Sequence, residues 1–280
     1  MRFEGKHVVL TGGASGIGAE TLAKVKAEGG RVTVLDRVPC PAADRAIAVD
    51  MAERSSLDAA VAELTGPGSA SIDVLLNIAG VPPRDSAGEA SEGPAQPGWG
   101  NGALVLGVNF FGLRHLTEAL MPHLSDAAPI VNMASLAGAG WQQNIAEVKA
   151  LLAMDNSIDP AAAQAQLGID ATRAYNLSKE AVIVWGIQQT ALGLPRGIRM
   201  NAVCPAAVST GILDDFKAAF GPQVVAAVER AGRPSTPDEV ADLVLFLASD
   251  DSRWIKGGEF KIDGGIGAFR VAAMTGLLDA

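Results

Sequence analysis

The sequence has few of the residues that build disulfide scaffolds, metal clusters or basic surfaces. Its two cysteines, Cys40 and Cys204, are too few for a disulfide framework, which indicates a reducing compartment. The three histidines, His7, His115 and His123, lack the clustering of metal ligands, so we expect no metal site. Lysine and arginine number 22 against 31 aspartates and glutamates, and the resulting net charge of -9 disfavours nucleic acid as a partner.

Long apolar runs are also missing, since no stretch approaches the roughly 20 residues of a membrane span. The chain enters a strand-like segment directly after its first residues, without a charged and then apolar leader. We therefore expect a cytoplasmic protein with no membrane partner and a small-molecule substrate. Because 49% of its 280 residues are hydrophobic, the chain can bury one full core, and we expect a single domain over residues 1–280.

The sequence does contain a regular alternation of short β-branched runs and longer amphipathic stretches. The predicted strands are His7–Leu10, Arg31–Leu35, Ala46–Val49, Val74–Asn77, Ile130–Met133, Ile198–Val203 and Glu259–Ile262. The predicted helices are Ile17–Glu28, Ser55–Leu64, Leu104–Leu124, Ala174–Leu192 and Pro237–Ala248, the last capped by Thr236. This alternation predicts an α/β fold in which a seven-stranded parallel sheet is doubly wound, as in the Rossmann fold.

Two segments interrupt the alternation. Residues 82–102 are rich in Pro, Gly, Ser and Glu, which predicts a surface loop. Residues 138–172 form a helical insertion after the fifth strand, with helical spacing over Asn144–Met154 and a second short helix opened by Asp159–Pro160. The insertion is either a substrate lid or interface element, or a packed decoration without substrate contact, and the residues favour neither interpretation.

A glycine-rich turn, Thr11–Gly18, follows the first strand and leads into a helix. Glycines let the backbone turn tightly and approach a pyrophosphate, and the helix N-terminus stabilises the phosphate charge. Such a turn alone is weak evidence, but the strand before it and the helix after it favour a dinucleotide site. The predicted contacts in the turn are Gly12, Ser15, Gly16, Ile17 and Gly18.

The second strand ends at Asp36, where a carboxylate can accept hydrogen bonds from both hydroxyls of an adenosine ribose. A 2'-phosphate would meet like charge there, so Asp36 favours NAD over NADP as the cofactor. Arg37 is either a phosphate or adenine contact or an ordinary solvated arginine. Asp50 and Met51 follow the third strand, where Asp50 either binds the adenine amino group or caps the next helix.

The single tyrosine, Tyr175, precedes Lys179 by four residues, so on a helix the two side chains share a face. A phenol is a weak base at neutral pH, and a nearby ammonium is expected to lower its pKa. Ser135 ends the fifth strand at the ligand-binding edge of the sheet, where its hydroxyl can hold a substrate oxygen or simply make a turn.

Together with Asn109, the Asn77–Gly80 segment and Asn201–Pro205, these motifs resemble, in order, those of the short-chain dehydrogenases/reductases. The resemblance covers nearly the whole chain. It implies that Tyr175 is the general acid/base, that Lys179 lowers its pKa and binds the nicotinamide ribose, that Ser135 orients the substrate, and that Asn109 anchors a water in a proton relay.

The resemblance also implies further cofactor contacts at Asn77, Ala79, Gly80, Pro205, Val208 and Thr210, besides Tyr175 and Lys179. Ala206 and Ile78 depart from the glycine and asparagine that are usual in the family, which puts the detailed shape of the nicotinamide pocket in doubt. The insertion and the tail Ile262–Arg270 resemble the bacterial 3α-hydroxysteroid dehydrogenase/carbonyl reductase subgroup. A homodimer or homotetramer is implied as well.

The expected activity is an NAD-dependent interconversion of a hydrophobic secondary alcohol, of the hydroxysteroid or aromatic alcohol class, with its carbonyl. Apolar candidates for the substrate pocket are Val81, Leu136 and Trp141, with Trp185 as a fourth. Each of these is more often core or surface filler than a ligand contact. The alternatives are a 3-oxoacyl thioester reductase, for which NADP would be expected, and a non-catalytic NAD-binding scaffold.

Overall fold

The computed structural model describes residues 1–84 and 100–277, so most of the predicted loop over residues 82–102 lies outside the described part. The strands are β1 (His7–Thr11), β2 (Arg31–Asp36), β3 (Arg45–Ala48), β4 (Val74–Asn77), β5 (Pro129–Met133), β6 (Arg199–Pro205) and β7 (Glu259–Ile262). They form one sheet in the order β3-β2-β1-β4-β5-β6-β7, and neighbouring strands are parallel. The predicted doubly wound sheet is confirmed, with strand boundaries that agree within two residues.

The helices are α1 (Gly16–Ala27), α2 (Arg54–Thr65), α3 (Gly102–Leu106), α4 (Leu113–Leu120), α5 (Ile145–Leu152), α6 (Pro160–Leu167), α7 (Ala171–Gly193), α8 (Leu213–Phe220), α9 (Pro222–Ala231), α10 (Pro237–Ala248) and α11 (Ile266–Met274). Helices α1 and α10 pack together on one face of the sheet, and α2, α4 and α7 cover the other. Alternate strand residues enter the two cores, so that Val8 and Leu10 lie under α1 and α10 while Val9 lies in the opposite core.

Between β1 and β4 the direction of winding reverses. At such a switch point the carboxyl ends of two adjacent strands border a crevice, where open α/β sheets bind their ligands. The register aligns Thr11, the last residue of β1, with Asn77, the last residue of β4. The predicted cofactor segments that follow β1 and β4 therefore lie side by side at this edge of the sheet.

The single helix predicted over Leu104–Leu124 is wrong in detail. The chain instead forms α3, a π-helical segment over Gly107–Gly112, α4 and a short 3-10 turn over Met121–His123. Gly112 lies against the segment that follows β3. A Cβ at Gly112 would overlap the carbonyl oxygen of Met51. The wider π turn is a common device at functional sites, and here it carries Asn109.

Helix α7 begins at Ala171, three residues before the predicted start, because the side chain of Asp170 accepts a hydrogen bond from the Arg173 N–H at 2.7 Å. The predicted cap of α10 is confirmed, since Thr236 and Glu239 form a capping box.

The two short helices predicted in the insertion are confirmed as α5 and α6, which pack against α7 and α3 respectively. Helices α8, α9 and α11 are not predicted by the sequence analysis. The residues of α8 and α9 stay partly exposed, although their apolar residues repeat with helical spacing. Within the described ranges no helix combines the length and apolar character needed to cross a membrane.

Candidate active site

The glycine-rich turn is held between the ends of β1 and β4. Gly12 adopts φ +74°, and a Cβ at this position would come within 2.7 Å of the Ala79 backbone. The Thr11 hydroxyl accepts hydrogen bonds from the N–H groups of Ile78 and Ala79 at 3.0 and 3.1 Å. Thr11 thereby fixes the spacing between the turn and the segment after β4, a role that the sequence analysis does not assign to it.

Helix α1 starts at Gly16, with Ser15 at the N-cap and exposed to solvent. A Cβ at Gly18 would overlap the carbonyl oxygen of Gly12, so only glycine lets the helix begin this close to the turn. Ile17 continues the first turn and packs against the core on that face of the sheet. The N-terminus of a 12-residue helix is thus aimed across a backbone cradle that suits a pyrophosphate.

Asp36 is oriented by the backbone around it. Its carboxylate accepts hydrogen bonds from the N–H groups of Ala14 and Val38, each at 3.0 Å. Arg37 is turned toward Asp50, with 3.4 Å between Nε and Oδ2. Asp50 also accepts from the Ala52 N–H at 2.9 Å, which makes a turn before α2, but the N-cap of α2 is Glu53 and Asp50 does not cap this helix.

Asn109 links the π-helical segment to the segment after β4. Its carboxamide accepts from the Val81 N–H at 2.8 Å and donates to the Val81 carbonyl at 3.1 Å. A Cβ at Gly80 would lie 3.3 Å from Oδ1 of Asn109 and 3.5 Å from Nζ of Lys179. The structure therefore brings together Gly80, Asn109 and Lys179, as the sequence predicts.

Tyr175, Lys179 and Ser135 also converge. Nζ of Lys179 donates to the Met133 carbonyl at 2.8 Å and lies 5.7 Å from the centroid of the Tyr175 ring. Ser135 follows β5 directly, and its hydroxyl lies near enough to the Tyr175 phenol to lower the phenol's pKa. A substrate oxygen placed at this pair would meet a phenol and a hydroxyl together.

The effect of Lys179 on Tyr175 differs from the prediction. Burial raises the pKa of Tyr175 to about 12, although the Ser135 hydroxyl opposes this shift. Burial also lowers the pKa of Lys179 to about 8, while the nearby Cys204 thiol opposes that shift. The expected lowering of the phenol's pKa is wrong here, because desolvation of the ring dominates and the ammonium is engaged with Met133. At neutral pH the phenol is a proton donor.

The remaining cofactor residues close the other side of the crevice. Oγ of Ser135 lies 3.5 Å from the carbonyl of Pro205, the last residue of β6. Val208 is buried in the same core as Ile17. Thr210 lies beside the glycine-rich turn, since a Cβ at Gly16 would be 3.3 Å from its Cγ2.

Two aromatic side chains missed by the sequence analysis cover Tyr175. Phe216 and Phe220 of α8 make edge contacts with the Tyr175 ring at centroid distances of 5.2 and 6.0 Å. They also stack on each other at 6.3 Å. Their spacing of four residues is the signal that could have found them, but nothing local in the sequence ties α8 to Tyr175.

The four predicted pocket residues have different positions. Leu136 follows Ser135 and is buried, and Val81 is half-buried beside Asn109. Trp141 is instead directed to the edge strand β7, where its indole N–H donates to Glu259 at 3.1 Å. Trp185, on α7, is 1% exposed in the core, so its assignment to the pocket is wrong. The sequence reveals neither the burial of Trp185 nor the contact of Trp141 with Glu259.

The insertion supports the helix that carries Tyr175. Arg173 donates to the buried Glu180 from Nη1 and Nη2 at 3.1 and 2.7 Å, and to Glu147 of α5 from Nε at 2.9 Å. Asn144, at the start of α5, donates to Glu180 at 2.7 Å. A buried carboxylate with several partners fixes the relative positions of α5 and α7.

Over residues 1–84 and 100–277, no group of three or more His, Cys, Asp or Glu side chains is arranged to hold a metal ion.

A parallel sheet with a glycine-lined cradle at its switch point, and a phenol, an ammonium and a hydroxyl at the same edge, defines an oxidoreductase that acts on alcohol and carbonyl groups. Comparison with known proteins agrees with this class. Residues 6–147 match a family model described as short chain dehydrogenase, and residues 156–267 match one described as enoyl-(acyl carrier protein) reductase. The chain belongs to the short-chain dehydrogenase/reductase family.

The chain is 34% identical over 269 residues to coniferyl-alcohol dehydrogenase of a Pseudomonas species (strain HR199), covering 95% of this chain and 98% of that one. It is 27% identical to 3-alpha-hydroxysteroid dehydrogenase/carbonyl reductase of Comamonas testosteroni, covering 93% of this chain and 96% of that one. A crystal structure of the 3-alpha-hydroxysteroid dehydrogenase from Pseudomonas sp. B-0831, complexed with NADH, is similar with a TM-score of 0.80 and 30% identity, covering 95% of this chain and 99% of that one. The predicted family resemblance is confirmed.

Proposed function

We propose that this enzyme uses NAD to interconvert a hydrophobic alcohol, of the hydroxysteroid or aromatic alcohol class, with its carbonyl compound. The observation that carries the proposal is the position of the Tyr175 phenol. It lies at the ligand-binding edge of the sheet, where the Ser135 hydroxyl lowers its pKa against the effect of burial, and it is flanked by the rings of Phe216 and Phe220. The hydroxyls of Tyr175 and Ser135 can bind an oxygen atom, and the rings of Phe216 and Phe220 beside them are apolar. This combination suits a substrate with one oxygen on a hydrophobic ring system.

The preference for NAD is supported by the charges where the adenosine ribose would lie. The Asp36 carboxylate is held in place by two backbone N–H groups, so it cannot turn away from a 2'-phosphate without losing them. The nearest cation, Arg37, is paired with Asp50. A bound NAD supplies the hydride acceptor or donor at its nicotinamide ring.

The residues of the chain then have separate tasks. Ser135 donates a hydrogen bond to the substrate oxygen and orients it. Tyr175, which is protonated at neutral pH, gives its proton to a carbonyl oxygen in reduction and takes one back in oxidation. Lys179 binds the nicotinamide ribose, and Asn109 holds the backbone of Val81 in place next to them.

The substrate class is supported by two relatives whose names refer to ring-containing alcohols, coniferyl alcohol and 3-alpha-hydroxysteroids. The family model described as enoyl-(acyl carrier protein) reductase, over residues 156–267, has a thioester in its name and so bears on the alternative of a thioester reductase, although its name refers to a double bond and not to a 3-oxo group. The two candidates differ in cofactor, because the thioester reductase would be expected to prefer NADP. A non-catalytic scaffold needs to bind NAD only, and NAD binding alone does not require Ser135 beside Tyr175.

The test is a panel of aromatic alcohols, hydroxysteroids, their carbonyl compounds and 3-oxoacyl thioesters, each assayed with NAD and NADP. Tyr175→Phe should keep the fold and the stabilisation by NAD, yet lose about 10²-fold or more in kcat, because the proton donor is gone. Circular dichroism and NAD-induced shifts in Tm check folding and binding. Near-normal turnover by Tyr175→Phe would remove the phenol from the mechanism, and better turnover of thioesters with NADP would favour the alternative.

We also propose that residues 1–280 work as one cytoplasmic catalytic unit, assembled as a homodimer or homotetramer. Within it, the insertion over residues 138–172 acts mainly by bracing α7, through the Arg173–Glu180–Glu147 contacts. If so, Glu147→Gln should lower the Tm of the protein but leave the ratio of kcat/KM values between substrates unchanged.

A further inference from the structure

Residues 81–84, with the sequence Val-Pro-Pro-Arg, have no regular secondary structure, yet their backbone N–H groups are all accounted for. The two prolines are buried and have no N–H. The N–H of Val81 donates to Oδ1 of Asn109 at 2.8 Å, and the N–H of Arg84 donates to Oδ1 of Asn101 at 2.7 Å. Within this segment, all of it described, no backbone N–H therefore remains free.

Asn101 binds the segment in the same way as Asn109. Each carboxamide accepts from one N–H of the segment and donates to one of its carbonyls, Asn109 to that of Val81 at 3.1 Å and Asn101 to that of Pro82 at 3.0 Å. The backbone N–H of Asn101 also donates to the Arg84 carbonyl at 3.0 Å. A carboxamide provides a donor and an acceptor together, so neither aspartate nor alanine could make both side-chain hydrogen bonds.

The position of Asn101 makes this use of its side chain unusual. Asn101 is the N-cap residue of α3, and its carbonyl accepts from the Val105 N–H at 3.0 Å. The side chain of an N-cap asparagine normally accepts from an N–H of its own helix, but no residue of α3, all of which is described, donates to that of Asn101. The carboxamide is turned to Pro82 and Arg84 instead. It therefore stabilises the segment beside the active site and not the helix that it begins.

The chain around Asn101 is closely packed. A Cβ at Gly100 would overlap the carbonyl oxygen of Arg84. A Cβ at Gly102 would overlap Nε2 of Gln164 in α6, a side chain that is itself buried. Asn101 is therefore fixed between the segment and the insertion, and it cannot follow the segment if the segment moves.

Residues 81–84 begin beside the catalytic lysine. They follow Gly80, where a Cβ would lie 3.5 Å from Nζ of Lys179, and Val81 packs against the same apolar core as Tyr175. A substrate hydroxyl placed against this segment would lose its water and would find no N–H there to replace it. An apolar ring has no such requirement.

We propose that Asn101 is a positioning residue that, together with Asn109, holds residues 81–84 as a rigid wall of the substrate crevice. Because this wall presents no free N–H, it favours an apolar ring over a small diol. The inference rests on the proposed oxidoreductase function. It adds to that function a residue outside the motifs identified in the sequence, and assigns to it a part in selecting the substrate class.

The test compares the best ring-containing alcohol found in the panel with 2,3-butanediol, a small molecule with two hydroxyl groups. The wild type should have the higher kcat/KM with the ring-containing alcohol. Asn101→Asp keeps the acceptor for the Arg84 N–H but places a carboxylate oxygen against the Pro82 carbonyl, which displaces the wall. KM for the ring-containing alcohol should rise about three- to tenfold, the equivalent of one hydrogen bond, while its kcat changes less than about twofold. KM for butanediol should not change, because a small molecule does not fill the crevice as far as the wall.

A purely structural role of Asn101 would give a different result. Loss of folded enzyme would lower kcat with both alcohols and leave both KM values unchanged. The Tm of Asn101→Asp should stay near that of the wild type, since aspartate and asparagine are equally good N-cap residues. The shift in Tm on adding NAD should also be retained, because Asn109 still holds Val81. Asn101→Ala removes both side-chain hydrogen bonds and should raise the same KM at least as much, which gives the answer if the aspartate variant does not fold.

Asp159→Asn is the matched control, because it exchanges the same two side chains at the N-cap of α6, where Asp159 accepts from the Ala161 N–H at 2.8 Å. It should leave both KM values unchanged. An unchanged KM for the ring-containing alcohol in the Asn101 variants, an equal rise for the two alcohols, or a wild-type preference for butanediol would overturn the inference while leaving the oxidoreductase function intact. Absence of turnover by the wild-type enzyme with every alcohol and carbonyl would instead refute the proposed function.

Discussion

Single residues in this protein owe their chemistry to the backbone groups that hold them. Asp36 shows this most clearly, since two backbone N–H groups orient its carboxylate. Ser135 and Tyr175 show it again, because the desolvated phenol keeps its proton at neutral pH and only the Ser135 hydroxyl opposes that shift. The identity of these residues could be predicted from the sequence, whereas their state of protonation could not.

At Asp36, replacement by asparagine tests the cofactor preference. Asp36→Asn retains the shape of the side chain but removes its charge and one hydrogen-bond acceptor. We expect kcat/KM with NAD to fall about 10- to 100-fold, the loss typical of a charge-assisted hydrogen bond. The penalty against a 2'-phosphate should fall too, so the ratio of NADP to NAD activity should rise.

Asp44→Asn is the control for this experiment. Asp44 also accepts from a backbone N–H, that of Val32 at 2.8 Å, but it pairs with Lys26 away from the crevice. It should leave the cofactor ratio unchanged. Steady-state kinetics with both cofactors give the answer, and an unaltered ratio in Asp36→Asn would show that the carboxylate does not select NAD.

At the scale of elements, the start of α1 is determined by how closely it approaches the turn before it. A side chain at Gly18 would overlap the carbonyl oxygen of Gly12. Gly18→Ala should therefore push α1 away from the turn and reduce the free energy of unfolding by about 1–3 kcal/mol, the range for overpacking. Because the displaced N-terminus no longer faces the pyrophosphate, the shift in Tm on adding NAD should largely disappear.

Gly186→Ala is the matched control within α7. A Cβ there would lie 3.7 Å from the Met200 sulfur, an ordinary contact, and alanine is favoured over glycine inside a helix. Thermal unfolding with and without NAD distinguishes the two variants. An NAD-induced shift in Gly18→Ala as large as in wild type would contradict the role of this close approach.

For the molecule as a whole, buried titratable groups determine how stability depends on pH. Lys179 has a pKa of about 8 in the folded chain against 10.5 in the unfolded chain. Above pH 8 the unfolded chain therefore binds more protons, and the free energy of unfolding rises with pH. Burial raises the pKa of Cys204 from 9.0 and that of Tyr175 from 10.0, each to about 12, and these two groups reverse the trend at higher pH.

Between pH 8 and 9 the lysine effect is larger than the opposing effect of Cys204, whose thiol begins to ionise in the unfolded chain in this interval. We expect the free energy of unfolding to rise by about 0.6 kcal/mol over this interval in the wild type. In Lys179→Met it should instead fall slightly, because the ammonium is gone and the effect of Cys204 remains. Lys217→Met, at an exposed position, should retain the rise. Denaturant unfolding at several pH values measures the effect, and a flat wild-type profile would mean that Lys179 is not desolvated.

Most of the fold could be predicted from the sequence because its signals are local. Period-two and helical apolar patterns located the seven strands and the helices that pack fully on the sheet. Helices α8 and α9 carry a helical apolar pattern but bury none of their residues, and the sequence does not show where such short, partly exposed helices pack. The π segment was missed for a different reason, since it accompanies contact between Gly112 and Met51, which are distant in sequence.

The sequence by itself determined the parallel sheet, the glycine cradle, Asp36 and the Tyr175–Lys179 pair, because each depends on spacing along one element or on the ends of adjacent strands. Only the tertiary structure decided that Phe216 and Phe220 cover Tyr175, that Trp141 contacts Glu259, and that Arg84 pairs with Asp215. It also decided the direction in which the pKa of the phenol moves. The physical reason is that burial of a side chain, and its contacts with residues distant in sequence, depend on how the helices and the sheet pack together. The local periodicity of the sequence does not specify this packing.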